Sequence, residues 1–463
     1  MQSRRFPTSR KFILLLGDVA LISLAYVLAT ALILNRDILM DNIYLYSGML
    51  PVIIVLSGLL LNINGLYTIA NKRFADILLS LGVAVFCVLI LIMALSFFIR
   101  EFAYSRMVLI LSLSIQFVFL SIWRHMFWRI ERRLHDLRSV LLIGSKDECT
   151  HVYNRLHLQP QLNMKLRYIC TDMENSDWQA AAEHVDVIIL CPEMRHRHKV
   201  QVMNFCYQSG RQALLIPNTF ELFCSGAELD KIDDIPVFRP QSLRPSLEVR
   251  SLKRLLDLFV AAMGFLCALP FMVVTAIAIK IGDPGPMFYS QVRTGLDGKP
   301  FKVYKFRTMR VDAEKYSGPM LAQENDPRIT SLGRFLRAVR LDELPQIWNV
   351  LIGDMSIVGP RPERPFFVEQ FQKELPEYAY RHNVKPGITG MAQVYGKYNT
   401  TPFDKLAYDL MYIQHCNILN DLSIIIQTVR VLFTKSATEG AGCNKRPVDL
   451  QEYDIGKDIY GDF

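Results

Sequence analysis

The stretch "LLDLFVAAMGFLCALPFMVVTAIAIKIG", Leu255–Gly282, decides how the chain is arranged about a membrane. It exceeds the roughly 20 apolar residues with which a helix crosses a bilayer. Because loops rich in lysine and arginine stay in the cytoplasm, the charge on both sides of it predicts that both flanks are cytoplasmic. The flanking positive residues are Lys253 and Arg254 before it, and Lys280, Arg293, Lys299, Lys302, Lys305 and Arg307 from its last turn onward.

Pro270 lies in the middle of this segment and gives it a way to turn back. Proline removes one backbone donor and clashes with the preceding turn, so it interrupts a helix. The sequence therefore predicts a re-entrant helix over residues 255–282, broken at Pro270, that enters and leaves through one leaflet. The alternative is a straight span in which Pro270 makes a mild kink, and it would put the polar C-terminal region outside the cell.

Four more apolar runs precede this segment, and each has about the 20 residues that a transmembrane helix needs. The runs are Phe12–Leu34, Leu45–Leu66, Ile77–Ile99 and Met107–Trp128. The first run is too long for a signal peptide and lacks a small-residue cleavage site, so we expect an uncleaved anchor. The sequence thus predicts a four-helix transmembrane bundle over residues 1–130.

Lysine and arginine near the ends of these runs orient the bundle. They cluster before the first run, between the second and third, and after the fourth, whereas the other two connections are poorer in positive charge. Both ends of the bundle are therefore expected in the cytoplasm. The formal net charge of +8 also suits an anionic inner leaflet and phosphate-bearing ligands.

The cysteines and histidines give no metal-binding pattern in the sequence. The nine cysteines are scattered without a CxxC pair, so we interpret them as reduced packing residues. His196 and His198 have no further ligands close by, and we expect them in a solvated basic loop. No nucleic-acid partner is predicted.

The middle of the chain alternates short β-branched runs with helical patterns. The runs are Ser139–Gly144, Val185–Leu190 and Leu214–Ile216, which predict a small parallel α/β domain over residues 138–240. Its outline is that of a dinucleotide fold. After Gly144, however, the sequence reads "SKDEC", where a GxGxxG turn needs two more glycines to approach a pyrophosphate. We therefore predict a degenerate Rossmann-like domain with a structural or regulatory role.

Beyond residue 288 the sequence becomes polar and dense in motifs. "FKVYKFRTM", Phe301–Met309, predicts a strand whose period of two puts Lys305 and Arg307 on one face. "SLGRFLRAVR", Ser331–Arg340, predicts a helix with apolar residues at three- and four-residue spacing. That helix either lies at the membrane surface or packs on a core with a solvated basic side.

The adjacent carboxylates Asp342 and Glu343 precede an apolar helical pattern. Pro345 is tolerated only in a first helical turn, so this helix should start at about Leu344 and leave the two acids at its N-terminal edge. Carboxylates in that position can simply cap free N–H groups and interact with the helix dipole. Capping alone therefore remains one interpretation of the pair.

The basic residues around this acid pair favour phosphoryl transfer. An aspartate that attacks phosphorus must overcome repulsion between anions, which requires cations around the phosphates. In "GPRP" the prolines hold the backbone of Arg361 extended, which suits bidentate phosphate contact. Asp342 and Glu343 together offer carboxylates for a Mg²⁺ ion that neutralises phosphate oxygens. The candidate phosphate-binding residues are Lys305, Arg307, Arg337 and Arg361.

Residues 252–435 closely resemble the bacterial sugar transferase family, the monotopic phosphoglycosyl transferases that act on polyprenyl phosphate. The motifs "KRLLDL", "GDPGPMFYSQVRTGLDGKPFKVYKFRTM", "DPRITSLGRFLRAVRLDELPQIWNVLIGDMSIVGPRP" and "RHNVKPGITGMAQVYGKY" fall in family order. The resemblance implies that Asp342 is the nucleophile, that Glu343 assists with Mg²⁺, and that the apolar helix before the catalytic part is re-entrant. Leu269 stands where the family commonly has serine before the proline, and Arg340 stands where a small hydroxyl residue is frequent.

The resemblance also implies the substrates and the cellular location. Hexose-1-phosphate, with glucose favoured and galactose as the other choice, would pass from a UDP-hexose to undecaprenyl phosphate through a covalent aspartyl intermediate. UMP would be released, and the product would start an exopolysaccharide or O-antigen repeat unit. The protein would lie in the bacterial inner membrane, in contact with membrane lipid, with its catalytic domain on the cytoplasmic face.

The expected architecture is a mixed membrane protein: a four-helix bundle, a Rossmann-like α/β domain, and an α+β catalytic domain over residues 250–463 with its re-entrant helix. A homodimer is compatible with this layout. One alternative function is a membrane-bound NAD-dependent nucleotide-sugar dehydratase or epimerase, which needs GxGxxG and a Tyr-x-x-x-Lys pair such as Tyr453 and Lys457. A non-catalytic membrane scaffold is the other alternative.

Overall fold

The computed structural model describes residues 7–34, 43–68, 72–98, 105–134, 137–311, 326, 328–396 and 401–432. The chain separates into two compact units, of which the first ends at Asn218 and the second begins at Thr219. The predicted domain limits at residues 130, 138, 240 and 250 stay predictions. Tyr453 and Lys457 lie outside the described residues.

The first unit opens with four long apolar helices: α1 (Pro7–Ile33), α2 (Ile43–Ile63), α3 (Phe74–Phe98) and α4 (Arg106–Leu134). Three of these helices contain a segment long and apolar enough to cross a membrane: Arg10–Ile33 in α1, Phe74–Phe97 in α3 and Arg106–Arg133 in α4. The apolar segment Gly48–Ile63 of α2 is shorter. A buried ion pair joins α1 to α4, since Arg124 Nη2 lies 2.7 Å from Asp18 Oδ2. Neither residue of this pair was singled out from the sequence.

The rest of the first unit is a doubly wound α/β fold. Its strands are β1 (Arg138–Ile143), β2 (Met164–Cys170), β3 (Val187–Leu190) and β4 (Gln212–Leu215), and its helices are α5 (Lys146–His157), α6 (Trp178–Glu183) and α7 (His196–Ser209). The sheet is parallel with the order β2-β1-β3-β4. Alternate residues of β1 enter two apolar clusters, with Leu141 and Ile143 in one and Val140 and Leu142 in the other. The predicted parallel α/β organisation is thereby confirmed.

The structure bears on two expectations, one about His196 and His198 and the other about the cysteines. His196 and His198 lie in the first turn of α7 and not in a loop, because the helix begins at His196. His198 Nε2 also lies 3.7 Å from a carboxylate oxygen of Glu174. The described cysteines are free thiols, and several are buried in the α/β core.

The second unit begins with α8 (Thr219–Cys224) and the antiparallel hairpin of β5 (Glu228–Ile232) and β6 (Ile235–Arg239). The helix α9 (Leu247–Gly282) and the antiparallel hairpin β7 (Phe288–Thr294) and β8 (Pro300–Phe306) follow. Further along come α10 (Ser331–Ala338), α11 (Gln346–Ile352), β9 (Ser356–Val358) and α12 (Pro365–Glu374). The unit ends with β10 (Gly387–Thr389), which pairs in parallel with β9, and with α13 (Met391–Tyr395), α14 (Pro402–Gln414) and α15 (Ile418–Leu432).

Helix α9 is one α-helix of 36 residues with Pro270 inside it, so the structure does not divide the segment into two separate helices. At about 1.5 Å per residue it is much longer than the roughly 30 Å hydrocarbon core of a bilayer. Large apolar side chains are exposed along it, including Phe259, Leu266, Val274 and Ile281. The segment is therefore long and apolar enough for a membrane, while re-entry remains a prediction.

One face of α9 packs on other elements of the second unit both before and after Pro270. Before Pro270, Ala261 shares a buried cluster with Val303 of β8 and Val350 of α11. Toward its end, Ile279 packs with Phe306 of β8 and Leu336 of α10. The same small set of elements therefore contacts α9 on either side of Pro270.

Candidate active site

Asp342 and Glu343 lie in a single 3₁₀ turn, Leu341–Glu343, between α10 and α11. Arg340, which precedes the turn, has a φ of 60° in the left-handed region, where residues with a Cβ are uncommon. The chain therefore reverses sharply at the end of α10. Helix α11 begins at Gln346, just after Pro345, which is two residues later than the sequence predicted.

Glu343 is surrounded by cations. Its Oε1 accepts hydrogen bonds from Lys305 Nζ at 2.7 Å and from Arg361 Nη2 at 2.8 Å. Arg340 Nη1 lies 3.7 Å from the other carboxylate oxygen. Burial opposes ionisation, but the charges of Arg361, Lys305 and Arg340 outweigh it and hold the pKa of Glu343 well below its usual range. Glu343 is therefore a fixed anion that holds three cations in place.

Asp342 has a different environment from its neighbour. Its side chain is only 8% exposed, and Oδ1 has no hydrogen-bond partner among the described residues. Burial, and then the charge of Glu343, raise the pKa of Asp342, against the opposing charges of Lys305, Arg337 and Arg340. The site thus contains a desolvated carboxylate oxygen without a partner, with cations close by. That combination suits a nucleophile better than a helix cap.

Lys305 reaches Glu343 because β8 and α11 are joined by a buried amide. Asn349 Oδ1 accepts a hydrogen bond from Tyr304 N at 3.1 Å, and Asn349 Nδ2 donates to Lys302 O at 2.7 Å. This side chain pairs with the strand backbone as a neighbouring strand would. It fixes β8, and with it Lys305, relative to the helix that follows the acid pair.

Arg361 is positioned through the carbonyl groups of its own segment. Because Pro360 and Pro362 have no N–H, this segment depends on its carbonyl oxygens for anchoring. The donors to the carbonyls of residues 360 to 363 are, in order, Gly387 N at 2.9 Å, Arg381 Nη2 at 3.0 Å, Arg293 Nη1 at 3.1 Å and Thr294 N at 2.9 Å. The predicted extended arginine is thus held at four consecutive carbonyls.

Two of these donors are arginines, one buried and one half-buried, whose role at this segment sequence reasoning missed. Arg381 pairs with Asp409 at 2.8 Å, with both side chains only 2% exposed. Arg293 lies 3.6 Å from the Glu363 carboxylate, and burial lowers the pKa of Arg293 to about 10. The only sequence signal was indirect: a proline-rich segment that offers few N–H groups needs donors from elsewhere.

The structure places the other two predicted phosphate-binding residues less directly. Arg337 Nε donates to Thr308 Oγ1 at 2.9 Å, and its charge acts on Asp342. Arg307 bonds to the backbone of Asp283 and lies 3.6 Å from the Asp283 carboxylate. Strand β8 ends at Phe306, so the period of two that was expected to keep Arg307 beside Lys305 does not continue to it. A phosphate contact by Arg307 stays a prediction.

The acid pair has oxygen ligands of the kind that Mg²⁺ prefers. Among the described residues no group of three or more histidine, cysteine, aspartate or glutamate side chains forms a metal cluster. Mg²⁺ in phosphoryl-transfer sites, however, usually takes one or two carboxylates together with substrate phosphates and water. The unpartnered Oδ1 of Asp342 fits that requirement, with Glu343 as the second carboxylate.

Two sequence-family models match the chain in separate regions. The model of the bacterial sugar transferase family matches residues 248–435, which include α9 and every site residue described above. A model described as a CoA-binding domain matches residues 62–203, which include most of the α/β fold.

Three relatives illustrate the similarity. A UDP-N-acetylgalactosamine-undecaprenyl-phosphate N-acetylgalactosaminephosphotransferase of Aeromonas hydrophila is 41% identical over 207 residues, which cover 44% of this chain and 49% of the relative. A UDP-glucose:undecaprenyl-phosphate glucose-1-phosphate transferase of Escherichia coli (strain K12) is 41% identical over 229 residues, covering 48% of this chain and 49% of the relative. A protein of the same name from Klebsiella pneumoniae is 40% identical over 318 residues, covering 64% of this chain and 68% of the relative.

The chain spans about half the length of the first two relatives and about two thirds of the third. The aligned part of the third extends well beyond the length of the C-terminal family match. On the family match and this coverage, the chain belongs to the bacterial sugar transferase family.

Proposed function

We propose that this protein transfers hexose-1-phosphate from a UDP-hexose to undecaprenyl phosphate, with Asp342 as a covalent nucleophile. The observation that carries the proposal is the contrast between the two neighbouring acids. Asp342 is buried with an unpartnered oxygen, while Glu343 is bonded to Lys305 and Arg361. The names of the relatives support this substrate class, and two of the three name glucose, which we favour as the hexose.

In the first step an oxygen of Asp342 attacks the β-phosphorus of the donor. The bond from that phosphorus to the bridging oxygen breaks, and UMP leaves with the bridging oxygen and its electron pair. Lys305 and Arg361 are bonded to the neighbouring Glu343, and their charges also act on Asp342, so both can stabilise charge on the phosphate oxygens. Bound Mg²⁺, held by Asp342 and Glu343, would supply further neutralisation of phosphate charge. The product of this step is a sugar phosphate linked to Asp342 through an acyl phosphate.

In the second step a phosphate oxygen of the lipid acceptor attacks the same phosphorus. The acyl phosphate bond breaks, Asp342 recovers its carboxylate, and the lipid carries a diphosphate-linked sugar. The raised pKa of Asp342 suits both steps, since a desolvated carboxylate is a stronger nucleophile than a solvated one. It remains a competent leaving group in its acyl phosphate.

We further propose that α9 is re-entrant and that the site lies at the cytoplasmic face of the inner membrane. Arg254 donates to the carbonyls of Val350 and Leu351, and Asp257 accepts from Ser356 Oγ and Ile357 N. Ile279, beyond Pro270, also packs on this unit. Contacts on both sides of Pro270 with one unit support a helix that returns to the side from which it entered.

The test of the covalent step uses a UDP-hexose labelled on the β-phosphate, incubated with the full chain in the absence of acceptor. The wild type should retain label on the protein and release UMP, and Asp342→Asn should do neither. Removing a covalent nucleophile typically lowers turnover by about a thousandfold or more. Asp354→Asn is the matched control, because Asp354 is an exposed acid beyond the end of α11. Equal labelling of wild type and Asp342→Asn would contradict the assignment.

A further inference from the structure

The α/β fold of the first unit has a strand arrangement that forms a ligand-binding crevice in other open parallel sheets. The strand order β2-β1-β3-β4 places β1 beside β3. The connection after β1 leads to a strand on one side of this pair, and the connection after β3 leads to a strand on the other side. In open parallel sheets ligands bind at such a switch point, outside the carboxyl ends of the strands. A phosphate group there would use the free N–H groups at the start of the helix after β1, which is α5.

The Glu148 carboxylate lies at this helix start, in a capping box with Ser145. Its Oε2 accepts hydrogen bonds from Ser145 N at 3.0 Å and from Ser145 Oγ at 2.7 Å. Its Oε1 accepts from Glu193 N at 3.0 Å. Ser145 follows β1 and Glu193 follows β3, so one carboxylate bridges the two loops that border the crevice.

The ends of the two strands are also in close contact. Gly144 packs against the fully buried Cys191, and a Cβ built on Gly144 would lie 2.4 Å from the Cys191 Cβ. The same Cβ would lie 3.2 Å from Glu148 Oε2. Gly144 therefore permits close contact between the ends of β1 and β3, and the further glycine that lets the backbone approach a pyrophosphate is absent from the sequence after it.

The electrostatics agree with this packing. Glu148 brings a negative charge to the N-terminal end of α5, where a cofactor phosphate would bring its own. Two anions at one helix start would repel each other, and a phosphate at the N–H groups of Ser145 or Glu193 would have to displace the carboxylate that already accepts from them. The residues present do not fit the group that the description "CoA-binding domain" implies.

We infer that Glu148 is an internal substitute for a cofactor phosphate, and that the α/β fold of this chain binds neither coenzyme A nor a dinucleotide by its pyrophosphate. The carboxylate locks the loops after β1 and β3 together and closes the crevice. This part of the chain is then a permanently closed structural module.

Hydrogen exchange of the full chain in detergent tests the lock directly. The amides of Ser145 and Glu193 should be protected in the wild type and should exchange about tenfold faster in Glu148→Ala, which corresponds to a loss of about 1.4 kcal/mol. Glu148→Gln retains one acceptor oxygen and should show an intermediate effect. Glu183→Ala is the control, because Glu183 is an exposed acid at the end of α6. Unchanged exchange in Glu148→Ala would overturn the inference.

Calorimetric titration with coenzyme A and with NAD⁺ tests the closed crevice. The wild type should show no saturable binding up to concentrations on the order of 1 mM, which corresponds to a binding free energy of about −4 kcal/mol. Saturable binding of either cofactor by the wild type, competed by inorganic pyrophosphate, would overturn the inference even if the exchange result were as expected.

Discussion

Lys305 Nζ donates to Glu343 Oε1 at 2.7 Å, joining strand β8 to the turn that carries the acid pair. The two residues are 38 positions apart in sequence. Burial, together with the charge of Arg361, lowers the pKa of Lys305, while the charge of Glu343 opposes that shift. The pair therefore places the Lys305 cation near Asp342. Glu343 neutralises this cation until a phosphate binds, which limits the free-energy cost of burying the lysine charge.

The pH dependence of adduct formation should reveal the raised pKa of Asp342. Attack requires the carboxylate, so the single-turnover rate should fall as pH falls through a pKa above the ordinary aspartate value. The charge of Glu343 contributes to that raised pKa, so Glu343→Gln should move the acid limb to lower pH. Rapid-quench measurement of labelled protein across pH checks both statements. A limb that moves to higher pH in Glu343→Gln would contradict the described electrostatics.

Replacing Lys305 should affect both the rate and the pH profile. Lys305→Met removes a cation near the transferred phosphate and should lower kcat/KM for UMP release by about a hundredfold. Because the charge of Lys305 lowers the pKa of Asp342, the acid limb should move to higher pH, opposite in direction to Glu343→Gln. Lys305→Arg keeps the charge and should keep the limb near its wild-type position. A rate unchanged in Lys305→Met would remove Lys305 from the site.

The Asn349 side chain should contribute more to the free energy of unfolding than a typical buried amide does. Asn349→Ala leaves Tyr304 N–H and Lys302 C=O without their partner, which should destabilise the second unit by about 2 to 4 kcal/mol. Asn349→Asp keeps the acceptor for Tyr304 N–H but puts a carboxylate oxygen against Lys302 C=O at a fully buried position, so its loss should be at least as large. Thermal unfolding in detergent should rank wild type above both variants, with Asn349→Asp no more stable than Asn349→Ala. Wild-type stability in either variant would contradict the role of the two bonds.

The buried pair of Arg381 and Asp409 should couple stability to the position of Arg361. Asp409→Asn leaves a buried guanidinium without its counter-ion, and breaking such a pair costs about 3 to 5 kcal/mol. Since Arg381 also donates to the carbonyl of Arg361, KM for the donor should rise together with the loss of stability. Asp404→Asn, on the first turn of α14, is the control on the same helix. If Asp409→Asn lowered stability but left KM unchanged, the pair would stabilise the fold without positioning Arg361, which contradicts the prediction.

Cysteine accessibility should place both flanks of α9 on one side of the membrane. Arg250→Cys and Lys299→Cys, each in a background without other cysteines, lie before and after the apolar segment and are exposed. In sealed cells a membrane-impermeant maleimide should label neither site, and in inverted vesicles it should label both. Labelling of one position from each side would show a straight span and contradict re-entry.

The sequence alone determined the parts of this protein that depend on local pattern. The length and apolarity of Leu255–Gly282, the alternation of β-branched runs with helices in the α/β fold, and the motif that carries Asp342 and Glu343 were all visible in it. Local pattern works there because helices and strands bury residues with fixed periods. It also singled out Arg361, because two prolines restrict the backbone on either side of it.

Only the tertiary structure decided which side chains meet. It separated Arg307 from Lys305, because a strand that ends at Phe306 no longer carries a period of two. It brought Arg293 and Arg381 to the carbonyls of the Arg361 segment, and Glu148 to the loop after β3, across long separations in sequence. Such contacts depend on how distant elements pack, and a carboxylate that caps a helix has the same local sequence as one that attacks phosphorus. The difference between Asp342 and Glu343 lies in their hydrogen-bond partners and in the neighbouring charges, which only the folded chain supplies.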